Sequence, residues 1–203
     1  MTLPTSRPVR VAGIVLAAGA SARMGRNKLL LELAGQSVVR RAVSRALAAL
    51  DPVIVVLGHE AEQVRQALAG LPCRIVVNPE HARGMETSVR AGVAAVPADA
   101  EAAVMLLADM PLVTPVMLTA LVERFRETCA PLVISRYGET IAPPQLYARS
   151  LFAEMAAAGS GKAVIDRHRA DAEVLAWPAE ALADLDLPAD RERIEALLSA
   201  QSG

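Results

Sequence analysis

Five short stretches of the chain are apolar almost without interruption: 9–16, 53–57, 74–77, 103–107 and 132–135, each rich in valine, isoleucine or leucine. A strand with one wet face alternates apolar and polar residues. A run that is apolar on both sides of the pleat belongs to a strand covered on both faces, as in a parallel sheet. Between these runs lie segments with helical spacing, at 37–50, 60–69, 87–96 and 114–128. The last opens on Thr114-Pro115, a hydroxyl to cap the helix and a proline at its first position. Strand alternating with helix predicts right-handed βαβ units and an α/β sandwich of layers.

After Arg136 the rhythm changes. The segment 140–147 carries Pro143-Pro144 and predicts an irregular or edge segment, since proline cannot donate to a ladder. Helices over 149–158 and 162–169 follow, then a strand at 173–177 and a final helix from about Ala189. Residues 137–172 form a candidate substrate-side subdomain of a single domain spanning 9–203, preceded by a flexible tail at 1–8.

Composition narrows the function classes. Hydrophobic residues are 53% of the 203, enough to bury a sizeable core and too many for a disordered chain. Twenty-one basic against 22 acidic residues leave a net charge of -1, which argues against a nucleic-acid surface or a polybasic membrane anchor. No apolar run approaches the ~20 residues of a membrane span, and residues 1–8 lack the build of a signal peptide. Cys73 and Cys129 match no metal or redox spacing and read as buried, reduced thiols of a cytoplasmic protein.

In an open α/β sheet, ligands sit where loops leave the carboxyl ends of strands. After the first strand come Leu16-Ala17-Ala18-Gly19-Ala20-Ser21-Ala22-Arg23-Met24-Gly25-Arg26-Asn27-Lys28. Small residues let backbone N–H groups approach an anion, and Arg23 and Lys28 add positive charge. The spacing fits neither a Walker A loop nor a dinucleotide fingerprint. The alternative is a glycine loop with solvated charges. Of the 21 basic residues only Lys28 and Lys162 are lysine, so a lysine here reads as functional rather than as an incidental surface charge. Its compact ammonium suits bridging phosphates.

After the fourth strand, Asp109 sits ahead of Met110-Pro111. A carboxylate at a strand end can hold Mg²⁺ or simply form a turn. Asp184 and Asp186 project on one face if 183–186 is extended, and either is a candidate second ligand. After the third strand, Asn78-Pro79 leads to Gly84 and a helix that Thr87 or Ser88 can cap. That helix N-terminus is a second donor-rich site or a plain cap. Gly159-Ser160-Gly161-Lys162 looks like the end of a Walker A loop. It fails because Ala156 and Ala163 stand where glycine and Ser/Thr are required. His59, His81 and His168 fall in no catalytic or metal arrangement.

These blocks together resemble a known family. Leu16-Ala17-Ala18-Gly19-x-Ser21-x-Arg23-Met24-Gly25-x-x-Lys28, Gly58-His59, Asn78-Pro79 with Gly84-Met85, Ser88 and Gly92, Ala108-Asp109-Met110-Pro111, and Asp184-x-Asp186-x-Pro188 occur in that order. The set is similar to the MobA-like NTP transferases, and most closely to their molybdenum cofactor cytidylyltransferase branch, over about residues 9–198. The resemblance implies a three-layer, Rossmann-like nucleotidyltransferase fold around a mostly parallel sheet. It implies transfer of CMP from CTP to the terminal phosphate of molybdopterin cofactor, with release of pyrophosphate, and a recipient molybdoenzyme as a possible partner.

In that pattern Arg23 and Lys28 hold the triphosphate. Leu16, Ala17, Ala18, Gly19, Ser21, Gly25, Asn78, Gly84 and Ser88 belong to the nucleotide site, and Asp109 with Asp184 or Asp186 binds Mg²⁺. The Ala17-Ala18-Gly19 form of the loop favours CTP over GTP. Ile141-Ala142-Pro143-Pro144 departs from the family's substrate loop, so the acceptor is less determined than the donor. Two other readings stand beside this one: nucleotidyl transfer to a sugar or alcohol phosphate, and a carrier that hands nucleotide or cofactor to a molybdoenzyme without turnover.

Overall fold

The structure, a computed structural model, describes residues 9–20, 27–158, 161–183 and 190–200. The expected tail at 1–8 lies outside them. Strand β1 (Val11–Ala17) is buried along its whole length, and its side chains divide between two cores. Val11, Val15 and Ala17 join one, while Ala12, Ile14 and Leu16 join the other. A strand can do this only with a layer on each face.

The elements follow in the order β2 (Glu32–Leu33), β3 (Gln36–Ser37), α1 (Val38–Leu47), β4 (Val53–Leu57), α2 (Ala61–Ala67), β5 (Arg74–Val77), α3 (Met85–Ala94) and β6 (Ala102–Leu107). Then come α4 (Pro115–Thr128), β7 (Leu132–Tyr137), β8 (Thr140–Ile141), β9 (Gln145–Ala148), α5 (Phe152–Ala158), α6 (Gly161–His168), β10 (Ala172–Trp177) and α7 (Asp190–Ala200). The main sheet runs β10-β7-β9-β6-β1-β4-β5, with β8 paired to β7. Helices α1, α2, α4 and α7 pack on one face. Helices α3, α5 and α6 pack on the other. The expected three-layer α/β fold with a mostly parallel sheet is present. As the cap signal predicts, Thr114 accepts from the Met117 N–H at the start of α4, with Pro115 in the first turn.

Three expectations are corrected. Residues 140–147 are only in part an irregular or edge segment: β8 pairs with β7 alone and 142–144 belong to no strand, but β9 lies inside the sheet, antiparallel to both β6 and β7. Both prolines precede the strand, so no ladder donor is lost within it. Their carbonyls are taken by neighbours instead: Ser135 Oγ donates to Pro144 O at 2.6 Å and Tyr137 OH to Pro143 O at 3.0 Å. The cap of α3 is Gly84 rather than Thr87 or Ser88, which sit inside the first turn. The cysteines are not buried: Cys129 is exposed and Cys73 half-buried. Cys129 closes α4 in a left-handed conformation, a terminal position that faces water.

Candidate active site

The chain leaves β1 for β4 and β5 on one side and returns to β6 on the other. Loops after β1 and β6 therefore diverge and leave a crevice at their carboxyl ends, the usual ligand position in such sheets. After β1, Asn27 caps a single 3-10 turn at Lys28–Leu30, its Oδ1 accepting from the Leu29 N–H at 3.1 Å. Leu29 anchors that turn in the core, which leaves Lys28 at the crevice.

After β6, Asp109 is followed by Met110, Leu112 and Val113, all buried. Their burial clamps the loop. The clamp is completed from α1, where the Arg45 guanidinium donates to Pro111 O and, at 2.8 Å, to Val113 O. Burial, and then the neighbouring Arg41 charge, pushes Arg45 down to about 10. A charge disfavoured by its surroundings is held there by carbonyls it satisfies.

The two loops meet. Lys28 Nζ lies 2.5 Å from Asp109 Oδ2, with the side chains 14% and 21% exposed. The pair borders a cavity of about 360 Å³ lined by Leu16, Ala17, Ala18, Gly19, Ala20, Lys28, Leu29, His81, Ala82, Gly84, Met85, Ser88, Leu107 and Asp109. That size falls within the roughly 300–1,000 Å³ of small-molecule sites. Of the residues assigned from sequence, Leu16, Ala17, Ala18, Gly19, Lys28, Gly84, Ser88 and Asp109 share this wall. Ser21, Arg23, Gly25, Asp184 and Asp186 lie outside the described residues.

Asn78 is not on the wall. It is buried behind it, donating to Thr87 Oγ1 at 2.8 Å and Ser88 Oγ at 3.0 Å, and accepting from the Glu80 N–H at 3.0 Å. Its hydrogen bonds tie the loop after β5 to the first turn of α3. Gly84 enters that turn at φ +133, where an added Cβ would run into the Glu86 carboxylate. Gly58 permits another close approach: a Cβ there would stand 2.9 Å from that of Ala18. The His59 N–H donates to Ala18 O at 3.2 Å, so the end of β4 pins the loop after β1.

Beside this cavity is a larger one, about 600 Å³. Leu16, Met85 and Leu107 line both. Most of the rest of its wall comes from β8, β9, α6 and the start of α3, with Met105 of β6, and includes Gln145, Tyr147, Gly161 and Lys162. Sequence reasoning assigned 137–172 to the substrate side but named none of these side chains, and it missed Arg45. One signal was available: the scarcity of lysine that singles out Lys28 applies equally to Lys162.

The MobA-like NTP transferase domain, as a family profile, matches residues 13–177. The chain belongs to that family. A solved structure of Rv0371c from Mycobacterium tuberculosis H37Rv superposes with a TM-score of 0.80 at 29% identity, covering 93% of this chain and 98% of that one. A second structure of that protein is a complex with manganese. Among curated proteins, a bifunctional protein GlmU from Sorangium cellulosum is 36% identical over 125 residues, 57% of this chain and 26% of its own. A probable molybdenum cofactor guanylyltransferase from Natronomonas pharaonis is 33% identical over 114 residues, 55% of each chain. This chain thus spans between about a quarter and about half of these two curated relatives. No helix among the described residues is long and apolar enough to cross a membrane.

Proposed function

We propose that the protein transfers CMP from CTP to the terminal phosphate of molybdopterin cofactor. An oxygen of that phosphate bonds to the α-phosphorus, the bond between α-phosphorus and bridging oxygen breaks, and pyrophosphate leaves. The observation that carries this reading is the Lys28–Asp109 pair at the mouth of the β1–β6 crevice, in a chain of this family. Cytidylyl transfer requires positioning and charge neutralisation more than covalent help. The acceptor is already an anion near neutral pH, so the site needs no dedicated base, and the histidines can remain structural.

Each residue has a task in this scheme. Gly19 and its small neighbours let the triphosphate approach the backbone. Lys28, with Arg23, offsets the charge that accumulates on departing pyrophosphate. Gly84 and Ser88 form the opposite wall of the nucleotide site, and Asn78 holds that wall in place. The wall contributed by residues 137–172 receives the acceptor.

Asp109 fits a magnesium ion. It is a hard oxygen donor on the cavity wall. Magnesium on a nucleotide takes only one or two carboxylates beside phosphate oxygens. Asp109 would hold it, with Asp184 or Asp186 as a second ligand. A bound ion would supply charge stabilisation at the phosphates. The manganese held by Rv0371c supports a divalent ion in this fold.

The test is pyrophosphate release from CTP, GTP, ATP and UTP, with and without molybdopterin, in magnesium and after chelation. Release from CTP only with molybdopterin and metal is expected. Release only with a sugar phosphate overturns the acceptor and leaves the donor assignment standing. Persistence in chelator overturns the role of Asp109.

A further inference from the structure

The larger cavity contains a polar device that the transfer scheme does not use. Alternation along β9 sends Gln145 and Tyr147 to the α5–α6 face and Leu146 to the opposite core. Gln145 is 5% exposed and Tyr147 1%. The Tyr147 hydroxyl donates to Gln145 Oε1 at 2.6 Å. Burial pushes the phenol well above its ordinary range, so it remains a donor.

Behind the hydroxyl stands Gly161, where an added Cβ would lie 2.8 Å from the Tyr147 oxygen. This explains a glycine in the failed Walker-like string: the first residue of α6 must be small for the hydroxyl to reach Gln145. With its oxygen taken by Tyr147, the Gln145 carboxamide keeps its NH₂ as the donor it can offer to a ligand in the cavity it lines. Around it an apolar patch of Leu16, Val89, Met105, Leu107, Ile141 and Ile165 shares the wall with the charged Glu86, Glu139, Lys162, Asp166 and Arg169.

We infer that Gln145, held in one orientation by Tyr147 over Gly161, recognises the hydrogen-bond-accepting edge of a planar ring carried by the acceptor. A flat ring covers the apolar patch with its face and meets the Gln145 donor with its edge. Gln145 contacts the ligand; Tyr147 is a positioning residue. The inference rests on the larger cavity being the acceptor site of the proposed transfer.

The test is fluorescence titration of neopterin monophosphate into the whole protein, with CTP affinity measured alongside to show that each variant is folded. Wild type binds, and glucose phosphate does not displace the probe. Gln145→Leu weakens binding by about tenfold, the usual cost of removing one partner of a buried hydrogen bond, and leaves CTP affinity unchanged. Gln145→Glu, which swaps the donor for an acceptor, weakens it further. Tyr147→Phe weakens the probe and raises the acceptor KM without changing kcat or CTP affinity, an effect that lost stability alone would not produce.

Wild-type affinity for the probe in Gln145→Leu overturns the inference, as does equal displacement by glucose phosphate or absence of binding to wild type. Failure of wild type to turn over CTP with molybdopterin, with Gln145-dependent probe binding intact, overturns the transfer reading instead.

Discussion

Replacing Lys28 by methionine removes one charge from the crevice and keeps most of the side chain's bulk. Two charges 2.5 Å apart attract by about 7 kcal/mol at an effective dielectric of about 20. Much of this is offset by desolvating two ends that are 14% and 21% exposed, and water screens what remains. The net loss on breaking the pair is therefore about 1–2 kcal/mol, most of it the cost of leaving Asp109 half-buried and uncompensated. For a chain of this size that lowers Tm by about 2–8 °C. Turnover should fall further, by ~10²-fold or more, as when an oxyanion stabiliser is removed.

The double variant Lys28→Met/Asp109→Asn separates the two effects. With both charges gone the orphan carboxylate disappears, so Tm recovers most of the loss while turnover stays low. Lys28→Arg should recover stability better than activity, because a planar fork does not replace a compact ammonium between phosphates. Thermal unfolding and initial-rate pyrophosphate release measure both quantities on the same preparations. Wild-type turnover in Lys28→Met would refute the catalytic role. Activity that tracks Tm through the whole series would show that the pair is structural only.

Arg45→Met strips the donors from Pro111 O and Val113 O, costing about 1–3 kcal/mol in thermal unfolding. Turnover should drop by up to ~10²-fold because Asp109 is no longer held in register; unchanged turnover rejects the positioning role. Asn78→Ala removes every side-chain hydrogen bond between the β5 loop and α3 that Asn78 makes, and should cost about 2–3 kcal/mol in chemical denaturation. No loss of stability would mean that α3 holds its own first turn.

The His168 hydrogen bond first, and the Arg167 charge after it, hold the Glu154 carboxyl below its ordinary 4.5. Its contribution to stability is full above that value and is lost as pH falls through the lowered one. Wild type and Glu154→Gln should therefore differ in Tm at neutral pH and converge under acid, and a constant gap across pH excludes this clasp between α5 and α6.

Much of the framework was legible in the chain itself. Uninterrupted runs such as 53–57 and 103–107 have no polar side to show to water, so a layer on each face was dictated before any partner was known. Thr114-Pro115 marked the start of α4 because cap and first-turn chemistry are local. Lys28 stood out through the scarcity of lysine, and Asp109 through its place at the end of an apolar strand.

What depended on distant neighbours was not legible. Pro143-Pro144 suggested an edge, yet the residues directly after them form β9 between β6 and β7, while Ser135 and Tyr137 donate to the two proline carbonyls. Arg45 resembles any other helical arginine until α1 is packed beside the Asp109 loop. Gln145, Tyr147 and Gly161 became one device only when α6 was laid across β9. Periodicity and capping act over a few residues and are written in the order of the chain. Contacts between loops are decided by the order of strands in the sheet, and so only the tertiary structure could bring Lys28 to Asp109.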